Sequence, residues 1–146
     1  MVLVRWCGGH RDRVPVPTVE VEARGEGADA LVGRVVWACE RLGLRDATVG
    51  VMVVGPEEMA RINGEHRGKP EPTDVLAFPV DGPDALDWPA GGPPPELGDV
   101  VICPEAAQEP LSTLAVHGLL HLLGYDHEVD DGEMLALQDR LVAEAP

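Results

Sequence analysis

The sequence predicts an α+β domain in which helices pack on one face of a small sheet of four strands. Three observations carry the prediction. Short alternating or β-branched runs occupy the first two thirds of the chain, helical apolar spacing dominates the last third, and neither a linker nor an internal repeat separates two apolar cores. A chain of 146 residues suits one domain and buries enough surface to be stable without disulfides.

The elements follow in order. Residues 1–15 form an N-terminal segment with no clear register, and residues 16–146 read as the single domain. Thr18 to Ala23 alternates, with Val19, Val21 and Ala23 set against Glu20 and Glu22, the period of a half-buried strand. From Asp29 to Leu42, the residues Leu31, Val32, Val35, Val36, Cys39 and Leu42 recur at helical spacing, and Gly43 supplies a stop. Thr48 to Val54 is apolar on both faces and rich in β-branched residues, as a central strand is. Gly55-Pro56 ends it, and Pro56 suits the first turn of a short helix, Glu57 to Asn63. Thr73 to Phe78 and Leu97 to Ile102 read as two further strands. Between them, residues 79–96 are too rich in proline and glycine to join a ladder and read as a surface loop. A helix is expected from about Pro104 to Leu123. Another is expected from Asp130 to Ala143, with Met134, Leu137, Leu141 and Val142 on its apolar side.

Composition narrows the function. Hydrophobic residues make up 45% of the chain and charged ones 25%, a globular balance. With 26 acidic against 11 basic residues the net charge is −15, which excludes a broad basic footprint on nucleic acid, and no DNA partner is expected. Five aromatic residues (Trp6, Trp37, Phe78, Trp88 and Tyr125) are too few for a base-stacking platform. An anionic substrate therefore needs a local positive site, with the distant acidic surface screened beyond a Debye length of ~8 Å. The opening residues are too short an apolar run for a signal peptide. The most apolar window, Thr113 to Tyr125, is too short for a membrane span. Cys7, Cys39 and Cys103 are scattered and odd in number, which suits reduced thiols, so a cytoplasmic location without a membrane partner is expected. Cys7 with His10 is half of a metal site at most, because no second pair completes it.

The chemistry concentrates in His117-Gly118-Leu119-Leu120-His121-Leu122-Leu123-Gly124-Tyr125-Asp126-His127. Four residues apart on a helix, His117 and His121 project from one face. Gly124 can end the helix in the left-handed conformation and turn the chain back, which brings His127 to the same point. Three imidazoles with an open fourth corner follow the logic of a catalytic zinc site, in which bound water has its pKa lowered to ~7. The competing view is that the histidines are satisfied core residues among four leucines; three of the five histidines within eleven residues argue against it. The spacing equals that of the metzincin pattern, except that Gly118 stands where a peptidase has its general-base glutamate. Three neutral ligands also leave the ion's charge uncompensated, which favours an anionic substrate such as a phosphodiester. Arg67, in the segment Asn63 to Pro70 with the only lysine, Lys69, either offers a planar fork of donors to a phosphate or is a solvated loop residue. His66 has no spaced partner and reads as structural or exposed. Asp126 either orients a ligand imidazole or caps the following turn.

Four blocks resemble the YbeY-type endoribonucleases, the bacterial ribosomal RNA maturation factors. They are Ile62-Asn63 through Arg67-Gly68-Lys69, Pro72-Thr73-Asp74-Val75-Leu76-Ala77-Phe78-Pro79, Leu97-Gly98-Asp99-Val100-Val101-Ile102, and Val116 through His127. The resemblance covers roughly residues 16–144. It implies that the sheet is mixed, with about five helices packed around it and a metal cleft formed by the C-terminal helical region. It implies one Zn²⁺ per chain held by His117, His121 and His127, with Arg67 as the functional arginine. It further implies a single-strand-specific endoribonuclease that matures the 3′ end of small-subunit rRNA and serves ribosome quality control, with the small subunit or its proteins as partners. Three departures stand out: a short segment between Ile102 and His117 that holds Pro110, Ala77 where the family commonly has serine, and residues 1–15, which align with nothing. Two rival readings remain. One is a zincin-like metallopeptidase, which Gly118 disfavours. The other is a ribosome-associated binding module with a structural metal, which would need a fourth protein ligand such as Cys103 or Asp126.

Overall fold

A computed structural model describes residues 2–5 and 18–146, the side chains of 2–5 excepted. The segment containing Cys7 and His10 lies outside the described residues. The elements are β1 (Val2–Arg5), β2 (Thr18–Arg24), α1 (Val32–Arg41), β3 (Asp46–Val53), α2 (Pro56–Arg67), β4 (Val75–Pro79), β5 (Glu96–Ile102), α3 (Leu111–Leu122) and α4 (Glu133–Glu144), with short 3-10 turns at 28–31, 82–87 and 104–106.

The α+β class and the mixed sheet are as expected, with one more strand. The order is β1-β2-β3-β5-β4, parallel between β2, β3 and β5 and antiparallel at both edges. The fifth strand, β1, comes from the segment without a sequence register. Four residues paired along one edge are too few to display an alternation that the sequence could reveal.

The helices divide between the faces instead of sharing one. On one face α1, α3 and α4 enclose the main core, where Val19, Val49, Val100 and Ile102 of the sheet meet Val35, Leu119, Leu120 and Met134, all nearly or fully buried. On the other face α2 sets Met59 and Ile62 against Leu76, Val101 and Cys103. Consecutive residues of β5 feed different cores, as the pleat requires, with one exception. At Gly98 the register to β3 shifts, so Leu97 and Val100 both face the main core. The backbone there takes φ +129°, and a Cβ would collide with the Phe78 carbonyl, so only glycine serves.

Two boundaries differ from expectation for identifiable reasons. The helix expected from Pro104 begins at Leu111, because Pro110 lacks an N–H and its extended ψ of 142° makes it the start of α3. Conversely, α2 runs past Gly64 to Arg67 and stops only at Gly68, whose φ is +70°. Gly64 is tolerated inside α2 because Pro70 packs against it, 3.3 Å from where a Cβ would stand. The segment 79–96 is anchored more firmly than a free surface loop. Its Gly82 lies so close to the Leu122 carbonyl at the end of α3 that a side chain would clash. The Asp81 carboxylate accepts from the Glu96 N–H at 2.9 Å, and the Trp88 indole donates to the Pro93 carbonyl at 2.9 Å.

Candidate metal centre

Helix α3 is buried nearly all round, as its run of leucine, alanine and valine dictates. The exception is a strip bearing His117 and His121, both half-buried, which opens into a cleft of about 780 Å³. The helix ends in a Schellman motif. The Gly124 N–H donates to the His121 carbonyl and the Tyr125 N–H to the Leu120 carbonyl, each at 3.1 Å, with Gly124 at φ +99°. The returning chain is then fixed by two carboxylates. Asp126 accepts from the Glu128 N–H at 2.9 Å, and Asp130 accepts from the Gly132 and Met134 N–H groups at 2.8 and 3.0 Å. His127 rides on this turn. Asp126 thus caps the turn, the second of the two readings of it.

The three imidazoles converge. Ring centroids are separated by 4.8 Å for His117–His121 and by 5.3 Å for His127 to each of the others. One nitrogen from each ring lies within 4.8 Å of the others, a group that could hold a metal ion. Among the described residues no other His, Cys, Asp or Glu completes such a group with them. Cys103, weighed as a fourth ligand, is buried in the small core with Met59 and Val101, and its thiol faces Glu105 at 3.7 Å. Burial pushes the Cys39 thiol up to about 12, so that residue offers no thiolate.

One partner of the triad was not foreseen. His117 Nδ1 lies 2.7 Å from Gln138 Oε1 on α4. An amide oxygen can only accept, so Nδ1 carries the proton and Nε2 keeps its lone pair for a ligand role. Gln138 is only 9% exposed. It falls between Met134 and Leu141 on the apolar side of α4, and a lone amide on that stripe was the available signal. His121 is held below the ordinary imidazole range, chiefly by burial and then by its neighbours His117 and His127, and this keeps it neutral. Three converging imidazole nitrogens, with the tautomer of His117 locked by Gln138, fit a divalent metal ion.

Arg67 is the exposed last residue of α2 and lines the same cleft. The loop that follows is tied back by Asn63, whose amide donates to the Glu71 carbonyl at 2.8 Å. His66, read as structural or exposed, is both: exposed at the surface, with its ring 4.7 Å from that of Phe78. Gly118 meets the sheet. A Cβ there would stand 2.5 Å from Val100 Cγ1, so the position that holds the catalytic glutamate in the metzincin pattern has no room for a side chain.

Comparison with known proteins points one way. The family model described as Endoribonuclease YbeY matches residues 21–145. Curated proteins named Endoribonuclease YbeY from Salinispora tropica, Bacillus velezensis and Micrococcus luteus are 40%, 38% and 41% identical. The alignments cover 79%, 84% and 80% of this chain and 85%, 90% and 82% of theirs. The solution structure of TM1509 from Thermotoga maritima is similar with a TM-score of 0.51 and 31% identity, over 84% of this chain and 86% of that one.

Proposed function

Because the chain belongs to the YbeY endoribonuclease family, we propose that it is a zinc-dependent endoribonuclease that cuts single-stranded RNA. The carrying observation is the convergence of three imidazoles in a cleft that Arg67 also lines. In this reading His117, His121 and His127 hold one zinc ion, residues 16–146 form the metallohydrolase domain, and Arg67 is the catalytic cation. Zinc, when bound, supplies a Lewis acid for a phosphoryl oxygen. Gln138 orients His117, burial keeps His121 neutral, and Arg67 presents a planar fork of donors to the charge that develops on the phosphate. The cellular role that fits is maturation of the 3′ end of small-subunit rRNA and ribosome quality control, in the cytoplasm, with the small subunit or its proteins as docking partners. No helix among the described residues is long and apolar enough to cross a membrane.

The rival readings lack support. The packing of Gly118 on Val100 excludes a peptidase glutamate at that position, and no fourth protein ligand closes the group among the described residues. The test is cleavage of a single-stranded oligoribonucleotide and of its duplex, before and after chelation. Metal-dependent cutting of the single strand alone is expected. A 2′,3′-cyclic phosphate end identifies attack by the RNA's own hydroxyl and a 5′-phosphate end identifies water. Cleavage of casein by the zinc-loaded protein, lost in His121→Ala, would overturn the nuclease reading.

A further inference from the structure

The wall of the cleft is the outer edge of the sheet, and its backbone groups can be assigned one by one. β4 runs antiparallel to β5, with Leu76 opposite Val101 and Phe78 opposite Asp99. The Cys103 N–H donates to the Asp74 carbonyl at 2.9 Å and the Val80 N–H to the Leu97 carbonyl at 3.1 Å. Bonded pairs alternate along an antiparallel ladder, so Leu76 and Phe78 also turn their backbone groups toward β5. Val75, Ala77 and Pro79 turn theirs away from it, and all three line the cleft that contains the histidines. The Val75 N–H is taken by Asp74 Oδ1 at 2.8 Å, and Pro79 has none. Among the described residues one outward donor remains on this edge, the Ala77 N–H, with the Val75 and Ala77 carbonyls as acceptors on either side.

That pattern discriminates between occupants. An added polypeptide strand needs outward N–H and C=O groups at every second residue. Here Asp74 and Pro79 blunt the edge on both sides of Ala77, which leaves a single residue able to exchange both bonds. A single donor flanked by acceptors suits a smaller planar group. The Watson–Crick edge of each of the four RNA bases carries a donor beside an acceptor, and it is free only when the base is unpaired.

We propose that the β4 backbone at Val75–Ala77 binds the Watson–Crick edge of one unpaired nucleobase in the metal cleft. The inference rests on the RNA-cleaving reading above and gives it a physical source of strand selectivity. A base already paired in a duplex has no edge to offer, and because every base has a suitable edge, the contact demands single-strandedness without demanding a sequence.

The test uses the zinc-loaded full chain with oligouridine and its N3-methyluridine counterpart, in which the base donor is replaced by a methyl group. Cleavage kinetics and the Ala77 amide resonance are followed together. Methylation is expected to lower kcat/KM about tenfold, the order of one hydrogen bond lost with its partner left unsatisfied. The Ala77 amide is expected to shift with oligouridine and not with the methylated strand. Ala77→Pro, which deletes the N–H at an outward position of an edge strand where proline is tolerated, should raise KM with zinc content unchanged. Equal cleavage of both oligomers with an unmoved Ala77 amide would overturn the inference and leave RNA cleavage standing. No cleavage of either by protein that holds zinc would remove the nuclease reading and this inference with it. An Ala77 shift produced by an extended peptide and not by RNA would assign the edge to a polypeptide and also overturn it.

Discussion

At the scale of single residues, the site depends on which imidazole nitrogens keep a lone pair turned toward the cleft. Gln138 locks His117 through a 2.7 Å hydrogen bond from a buried position on α4. Gln138→Ala should therefore weaken zinc binding by about 10- to 100-fold, measured by competition with a chromophoric chelator, while the fold survives. Arg67 lies exposed at the cleft. Arg67→Ala should retain zinc and stability and lose about 10²- to 10³-fold in the rate of RNA cleavage; an unchanged rate would remove it from the mechanism. His121 titrates below its ordinary value because burial and its two histidine neighbours oppose its charge. The unfolded chain takes up that proton first as pH falls, so the stabilising effect is full above about pH 6.5 and is lost as pH drops through the lowered folded value. Denaturant midpoints of the metal-free protein should fall between pH 7.5 and 5.5, and fall less in His121→Ala.

At the scale of elements, the close crossing of α3 over the sheet is the most exacting feature. Gly118 lets the helix approach Val100, and a methyl group there would lie 2.5 and 3.0 Å from the two valine γ-carbons. Gly118→Ala should destabilise the protein by about 1–3 kcal/mol in a denaturant titration, through overpacking against a β-branched neighbour that cannot swing away. Restoring the metzincin glutamate should be worse and should not create a peptidase. Much of this element was legible in the sequence. Two histidines four residues apart, a glycine three later and a third histidine specify a helix, a Schellman turn and a return without reference to the rest of the chain. What was hidden depends on long-range packing. α2 continues past Gly64 where Pro70 closes over it, segment 79–96 is docked by Gly82 under the end of α3, and the tautomer of His117 is set by a residue on another helix. β1 was hidden for a simpler reason, because an edge strand paired on one side leaves little pattern in four residues.

At the scale of the whole molecule, the sheet order and the charge work together. The order β1-β2-β3-β5-β4 puts β4 on the outside, where its free edge walls the cleft, and puts α3 behind it to carry the histidines. The net charge of −15 opposes a polyanion over the molecule as a whole. Bare RNA should then bind weakly at physiological salt, with a Kd of about 10⁻⁶ M or higher, and a partner on the ribosome should supply the remaining affinity. Nanomolar binding of naked RNA would contradict this. The most direct measurement of the central claim is a zinc titration of the stripped protein with cleavage of a single-stranded oligoribonucleotide recorded at each point. Activity should rise linearly and level off at one zinc per chain, and His121→Ala should leave it flat. Undiminished cutting by the stripped chain, or a full complement of zinc with none, would contradict the account.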